Sequence, residues 1–519
     1  MECKINREMI PVTETVLDET QEQDVSLDYV LPDYDPEIFR IICCEIQPSV
    51  AGYQVSGGRL TYDLRAELRV LYCGGDSKAL QCVTQTMNYS KSLDLPAGRE
   101  GEPVFCFYPK ADYASCRATG KRRLDVRGAV SVRIRATAQR KQEVISDIFG
   151  MEMQLQRKNV TTAAEKRTAV KNLSLSEEIT LGASRPAVLG ILRCNARAAQ
   201  GERSIIAGKL VARGEVVADV LYRGEGPGGG SAIETMRFTI PYSQIVDMEQ
   251  IDETFTGTAE VQVISFTVKP ASDSSGEMRI LQCSAELRLT CTACKTKTVS
   301  IVTDAYSTRY LSECTAVPLR VDGAPVPVSE LFTCSASIRA GESGAEVVSD
   351  LRCHVKNVSM SAQPGQGKLR ISGMLCASVL TLDSDGMPVL LEREEAFEEQ
   401  LPLNLQADDA LLYAAAEPAD SSYHLGADGV ISIKCSVRLC GTLYPTTLVQ
   451  GLTQIQADEE KKIIRYSDCA LRLYYGTAGE SIWEIAKRCS TKVSAITEEN
   501  DLSGDTLTQP GMLLIPIVY

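Results

Sequence analysis

Leu60-Thr61-Tyr62-Asp63-Leu64-Arg65-Ala66-Glu67-Leu68-Arg69-Val70-Leu71-Tyr72 is the stretch that decides the fold. Leu60, Tyr62, Leu64, Ala66, Leu68, Val70 and Tyr72 share one parity, and Asp63, Arg65, Glu67 and Arg69 share the other. Successive side chains of a strand point to opposite faces, so this period of two predicts a long strand buried on one side.

The same signal returns twice. Gly58-Arg59-Leu60 opens the first run, Gly208-Lys209-Leu210 a second and Gly367-Lys368-Leu369 a third. Behind Leu210 come Ala212, Val216, Ala218, Val220 and Tyr222, set against Arg213, Glu215 and Asp219. Behind Leu369 come Ile371, Leu375, Ala377 and Val379, set against Arg370, Ser372 and Ser378. Leu71, Leu221 and Leu380 each lie 11 residues after their opening leucine. Further echoes are Val132-Arg133-Ile134, Leu287-Arg288-Leu289 and Val437-Arg438-Leu439, which end alternating runs. Val25-Ser26-Leu27 before Phe39-Arg40-Ile41 is answered by Leu173-Ser174-Leu175 before Leu189-Gly190-Ile191. Ordered recurrence at this spacing reads as three tandem copies of one unit.

Turn chemistry favours antiparallel pairing. Ser56-Gly57-Gly58, Gln363-Pro364-Gly365-Gln366-Gly367 and Asp383-Ser384-Asp385-Gly386 each separate strand-like runs. Helical periodicity is nearly absent from residues 40–450, so a parallel sheet with crossover helices is not expected. The chain reads as mostly β, with three antiparallel sandwich- or barrel-like units over residues 1–155, 156–312 and 313–450. Residues 451–469, with the charge cluster Asp458-Glu459-Glu460-Lys461-Lys462, read as a linker. Acidic Glu14 to Asp24 reads either as a partner-binding arm or as the lead-in to a strand.

Residues 470–519 differ in kind. Leu471, Leu473 and Tyr475 alternate with Ala470, Arg472 and Tyr474 in a short strand. Ser481 followed by Glu484 has capping-box spacing, and Ile482, Ile485, Ala486 and Cys489 then form one apolar helix face. A second short helix is expected from Val493 to Asn500. Pro510-Gly511 turns the chain into a returning strand, Met512 to Ile515. Trp483, the single tryptophan, reads as a packing residue of a very small core.

This βααβ order resembles the LysM domain, on Gly479, Ile482, Ala486, Asn500, Leu502, Pro510, Gly511 and Pro516. The resemblance implies a groove for N-acetylglucosamine polymers, such as peptidoglycan or chitooligosaccharide, between two loops. Its residues here would be Gly479, Glu480, Ser481, Ile482, Asn500, Asp505, Pro510 and Gly511. Glu480-Ser481 stand where the family more often has Asp-Thr, and matching LysM surfaces also bind proteins. Tandem β units before a LysM domain, with Leu221-Tyr222 and Ile240-Pro241-Tyr242-Ser243-Gln244, resemble the SPOCS-domain proteins of spore-forming bacteria. That phrase is loose in the first unit (Met87-Asn88-Tyr89-Ser90) and unrecognisable in the third. The resemblance implies a morphogenetic scaffold made in the mother-cell cytoplasm and recruited to the forespore surface. Its partner there would be the SpoIVA-like ATPase of the spore coat basement layer.

Composition narrows the alternatives. A net charge of −14 and a pI near 5 disfavour nucleic acid and anionic membrane as partners. Met1 to Asn6 shows no apolar signal segment, and 19 cysteines lying mostly in strand-like runs read as reduced thiols in a cytosolic protein. An enzyme is not expected. Only two histidines exist: His354, in a strand-like run beside Cys353, and His424, in a loop. Adjacent strand residues face apart, so Cys353-His354 is no dyad. Cys291-Thr292-Ala293-Cys294 is a lone pair at a strand end, without a second pair at zinc spacing. Gly224 to Gly230 lacks the Lys-Ser/Thr of a phosphate loop and reads as a hairpin connection. No catalytic residue, metal ligand or cofactor is assigned. A wall-processing enzyme is the weakest alternative, and a cell-wall glycan-binding protein is the runner-up.

Overall fold

A computed structural model describes residues 4–75, 79–96, 102–199, 201–226, 230–339, 348–383, 386–426, 429–464 and 470–517. Residues 227–229 of the glycine-rich run, turn residues 384–385 and residues 465–469 of the expected linker lie outside these. Among the described residues are small antiparallel sheets, two short α-helices and one 3-10 turn, Pro364–Gln366. Among the described residues, no helix is long and apolar enough to cross a membrane.

The quoted stretch is β3 (Arg59–Gly74), the centre of a three-stranded sheet. Its partners are β2 (Ile38–Ser56) and β4 (Leu80–Asp94). Gly57 and Gly58 have φ of 59° and 78°, the left-handed pair that a two-residue hairpin turn requires. A second sheet holds β1 (Lys4–Val30), β6 (Arg123–Phe149) and β5 (Val104–Gly120), with β6 central. Leu60, Leu64 and Val70 of one sheet pack on Leu124, Val126 and Val130 of the other, so the two form a sandwich.

The architecture recurs. β7 (Met153–Thr180), β13 (Met278–Ser307) and β12 (Thr256–Ser272) form one sheet. β8 (Val188–Ala198) with β9 (Glu202–Ile206), β10 (Lys209–Glu225) and β11 (Ser231–Asp247) form its mate. In the third copy β16 (Val348–Gln363), β17 (Lys368–Leu382) and β18 (Pro388–Pro402) face a sheet centred on β20 (Val430–Lys462). There the opening strand is split into β14 (Tyr310–Asp322) and β15 (Val326–Arg339). Both pair in succession along one edge of β20, and β19 (Asp409–Leu425) takes the other edge. Gly323-Ala324-Pro325 makes the break, since proline supplies no ladder donor.

The three sandwiches surround a common axis. β6, β13 and β20 outrun β5, β12 and β19, leaving three two-stranded arms paired with β1, β7 and β14. Ile10 and Val144, Val160 and Ile301, and Leu319 and Val449 come from the three arms and bury one another in a stem. Ile148, Val302 and Leu452 do the same nearer its tip. At the opposite end Leu71, Leu221 and Leu380 meet in a single cluster.

Several expectations are corrected. Residues 451–462, expected as linker, are the third arm's long strand, where Leu452 and Ile455 are buried against the other two arms. Of the two readings of Glu14 to Asp24, the structure agrees with the strand one: these residues lie within β1, paired with β6. His424 is in β19 rather than a loop, and Cys291 and Cys294 lie buried in the middle of β13 rather than at its end. Arg69, on the polar parity of β3, is 6 % exposed, because that face packs on the next sandwich.

Candidate functional site

The C-terminal module is β21 (Leu471–Gly476), α1 (Ile482–Cys489), α2 (Val493–Glu499) and β22 (Gly511–Pro516), with the two strands antiparallel. Ile482, Ile485, Ala486 and Ile496 of the helices meet Leu513 and Ile515 of β22 in its core. Ser481 sits at the N-cap of α1 without a side-chain capping bond, and pairs instead with Thr506 across the facing loop. The capping box therefore does not form.

The two expected loops are brought together by their backbones. Gly479 N–H donates to the Leu507 carbonyl at 2.7 Å, Leu507 N–H to Glu480 at 2.9 Å and Ile482 N–H to Asp505 at 3.0 Å. Gly479, at φ 85°, and Asp505 are exposed on this junction. Pro510 is exposed and Gly511 half-buried where the second loop enters β22. The other candidates are differently placed. Ile482 is 1 % exposed and belongs to the core. Asn500 donates to the carbonyls of Ile496 and Leu514 at 2.8 and 2.7 Å and accepts from Leu514 N–H at 2.7 Å, tying α2 to β22. Glu480 accepts from Tyr474 O–H at 2.5 Å and Thr477 N–H at 3.1 Å, with Arg488 at 3.5 Å. These donors, Tyr474 foremost, hold its carboxyl below the usual range.

Trp483 does more than pack within its own module. Its ring stands edge-on to Tyr306 with centroids 4.9 Å apart, and its Nε1–H donates to Asp304 Oδ2 at 2.8 Å. Lys487 Nζ also reaches Asp304, at 2.7 Å, and Tyr306 O–H donates to the Thr491 carbonyl at 2.7 Å. Tyr306 and Asp304 end β13, so the module is fastened to the tip of the stem. The sequence shows Trp483 as a singular residue and carries no sign of this contact.

A second feature lies on the axis. Between the sandwiches is a cavity of about 1360 Å³, lined by β2, β5, β8, β11, β16, β19 and their neighbours. Its walls are held by ion pairs and hydrogen bonds that differ at each junction. Opposite Leu71, Leu221 and Leu380, the register places Cys43, Arg193 and Asp350. Arg193 and Asp350 pair at 2.7 Å with both side chains about one-tenth exposed. Two residues on, the equivalent positions hold Glu45, Asn195 and Arg352. Arg352 pairs with Glu45, and Arg69 donates to Asn195 at 3.4 Å. Burial works to raise the Glu45 carboxyl, but Arg352, Arg193 and Arg69 outweigh it and keep it low. One repeat position thus carries acid, amide and base in turn, which fixes the neighbour of each sandwich. His354 faces the same cavity with Nδ1 unpartnered, and burial lowers its pKa to about 4.

Toward the stem is a smaller axial chamber of about 60 Å³. Lys166 lies over the Tyr444 ring at 5.0 Å and Arg135 over Tyr413 at 5.1 Å. Burial raises the Glu260 carboxyl and lowers the Lys166 amine. Thr442 O–H donates to Glu260 at 2.8 Å.

Comparison with protein families accords with this geometry. Residues 187–270 match the model described as SipL, SPOCS domain, and residues 477–515 match the LysM domain. The chain carries a SPOCS domain and a LysM domain. Neither family is catalytic. The SPOCS match spans β8 to β12, within the second copy of the recurrent sandwich. Its phrase Ile240 to Gln244 lies in β11, where Tyr242 covers Gly214; a Cβ there would come within 2.5 Å of the tyrosine oxygen. Tyr89 opposite Leu64, and Phe397 opposite Gly373, hold the same register position in the other two copies. The aromatic motif therefore persists in the third copy as Phe397, which sequence reading missed. No curated protein and no solved structure matches the chain.

Proposed function

We propose that this protein is a non-catalytic scaffold and adaptor of spore coat and envelope assembly, with three SPOCS-like units over the three recurrent sandwiches. It would be made in the mother-cell cytoplasm and recruited to the forespore surface. There it would bind the coat basement-layer ATPase through its LysM domain and β units. What supports this reading most is the joining of a SPOCS and a LysM domain in one chain, together with the fastening of the LysM module to the stem by Asp304 and Tyr306. A module fixed to the stem can present its loops at a set distance from other contacts, as an adaptor requires. The exposed junction of Gly479 and Asp505 belongs to the loops that the LysM resemblance implies for glycan, so peptidoglycan binding is the competing reading.

Co-sedimentation of the full chain separates the two. With polymerised basement-layer ATPase it should pellet; with purified peptidoglycan alone it should stay in the supernatant. Pelleting only with peptidoglycan would replace the adaptor reading with wall binding. Release of soluble muropeptides above background would overturn the non-catalytic assignment.

A further inference from the structure

The small chamber toward the stem is lined by all three copies of the sandwich. Ile145, Val302 and Leu452 meet in the stem. Ten residues before each stands Arg135, Thr292 or Thr442, paired across its sheet with Cys106, Thr258 or Tyr413. Two residues on, the first copy has Thr15 opposite Thr137 and the second has Lys166 opposite Cys294. In the third, Tyr444 has no partner on that side, because the strand breaks at Gly323-Ala324-Pro325. The recurrent positions therefore bring one guanidinium, one ammonium and one phenol to the axis, not three like groups.

The charges around this chamber do not balance. Arg135 pairs with Asp18 at 2.8 Å and Arg320 with Asp322 at 3.1 Å. Glu260 accepts from the Thr442 hydroxyl at 2.8 Å, and burial favours its neutral form. Lys166 has the face of the Tyr444 ring at 5.0 Å and, among the described residues, no carboxylate at ion-pair distance. An aromatic face attracts a cation but cancels none of its charge, and an unpaired charge taken out of water is costly. Tyr413 Oη is also buried and makes no hydrogen bond of good geometry, Thr15 being close by. Threonines of β1, β6, β7, β12 and β13 add further hydroxyls to the lining. Donors and one surplus positive charge thus surround a void of about 60 Å³. A single water needs only about 10–15 Å³ of such space.

We propose that this chamber is an anion site, which takes one small monovalent anion of chloride size, with Lys166 as its counter-charge and the Tyr413 and threonine hydroxyls as donors. One surplus charge favours a monovalent over a divalent anion. The ion draws on Thr15 of the first copy, Lys166 of the second and Tyr413 of the third, so it ties the three sandwiches together near the start of their arms. The site exists only when the three copies are assembled, so its occupancy stabilises the folded chain by mass action.

The test has two arms, both on the full-length protein. In solution, thermal unfolding is followed as sodium chloride or sodium bromide replaces sodium gluconate at constant ionic strength. The midpoint should rise with either halide in the wild type. It should stay flat in K166M, whose methionine keeps the apolar stem over the Tyr444 ring without the charge. Y413F should move the same rise to higher halide concentration. In crystals grown with bromide, an anomalous peak is expected in the chamber beside Lys166 Nζ, and none there in K166M. If K166M does not fold, Y413F and the wild-type bromide peak decide. Three results would overturn the proposal: a chamber that holds only water in bromide; a halide dependence in K166M equal to that of the wild type, or in Y413F if K166M is lost; or a bromide peak without any halide dependence in solution, which is binding at crystal concentration only.

Discussion

Replacing Asp304 by alanine should loosen the LysM module from the stem. Its carboxylate accepts from Trp483 Nε1–H at 2.8 Å and from Lys487 Nζ at 2.7 Å. A hydrogen bond to a charged group contributes roughly 1.5–3 kcal/mol. The Lys487 side chain is 39 % exposed, so solvent screening leaves its share at the low end. Together the two contacts hold the module by about 2–3 kcal/mol, a shift of roughly 30- to 150-fold toward the released state at about 1.4 kcal/mol per decade. Tyr306, buried against Trp483 and bonded to Thr491, continues to resist release, so D304A/Y306A should free the module where D304A only weakens it. Trp483 is the chain's single tryptophan, so its emission reports this contact alone. With D304A, acrylamide quenching of tryptophan emission should rise, and rise further with D304A/Y306A. Far-ultraviolet circular dichroism should stay constant. Emission and quenching identical to wild type in the double variant would refute the docking geometry.

Other parts of the molecule make separate predictions. L221A opens a hole in the apical cluster shared by all three sandwiches and should cost about 2–5 kcal/mol in denaturant unfolding; a loss near zero would mean that the cluster does not hold the units together. D350A leaves Arg193 buried without its partner and should cost about 3–5 kcal/mol, with the exchange R193D/D350R recovering part of it. His354 titrates near 4 in the folded chain against about 6.5 when unfolded, so the unfolded state binds the extra proton between those values. Its contribution is full above about pH 6.5 and is lost as pH falls toward 4, by about 3 kcal/mol at most. H354Q should flatten that part of the stability profile, and an unchanged slope would remove His354 as its source.

Strand alternation made the sandwiches legible, because a buried face imposes period two on its own sequence. Leu60, Tyr62, Leu64, Leu68 and Val70 are all at most 1 % exposed. What alternation could not reveal is how the sandwiches meet. Leu71, Leu221 and Leu380 recur at a fixed spacing on the polar parity, a signal visible in the chain, and only the axial assembly explains it. Arg69 and Arg288 are buried although a charged residue in a strand ordinarily marks the solvent face, because an inter-unit face is polar like a surface; Arg288 donates to the Ala51 carbonyl at 2.8 Å. The linker reading of residues 451–462 failed for a related reason. An arm strand buried against two other arms needs only scattered apolar residues such as Leu452 and Ile455, and its charged tail resembles solvated chain. In the LysM module, motif residues marked the loops but not their roles. Ile482 and Asn500 maintain the fold, while Gly479 and Asp505 form the exposed junction. Asp304 and Tyr306, which fix that module, lie at the end of β13 with no local pattern to single them out.

The central claim is that this chain is an adaptor of the forespore surface, and imaging a fluorescent fusion through sporulation of the native host tests it most directly. The account predicts a signal that encircles the forespore and that disperses when the basement-layer ATPase is removed. Signal along the vegetative wall or septum, with none around the forespore, would contradict it and establish the LysM module as a wall-binding one.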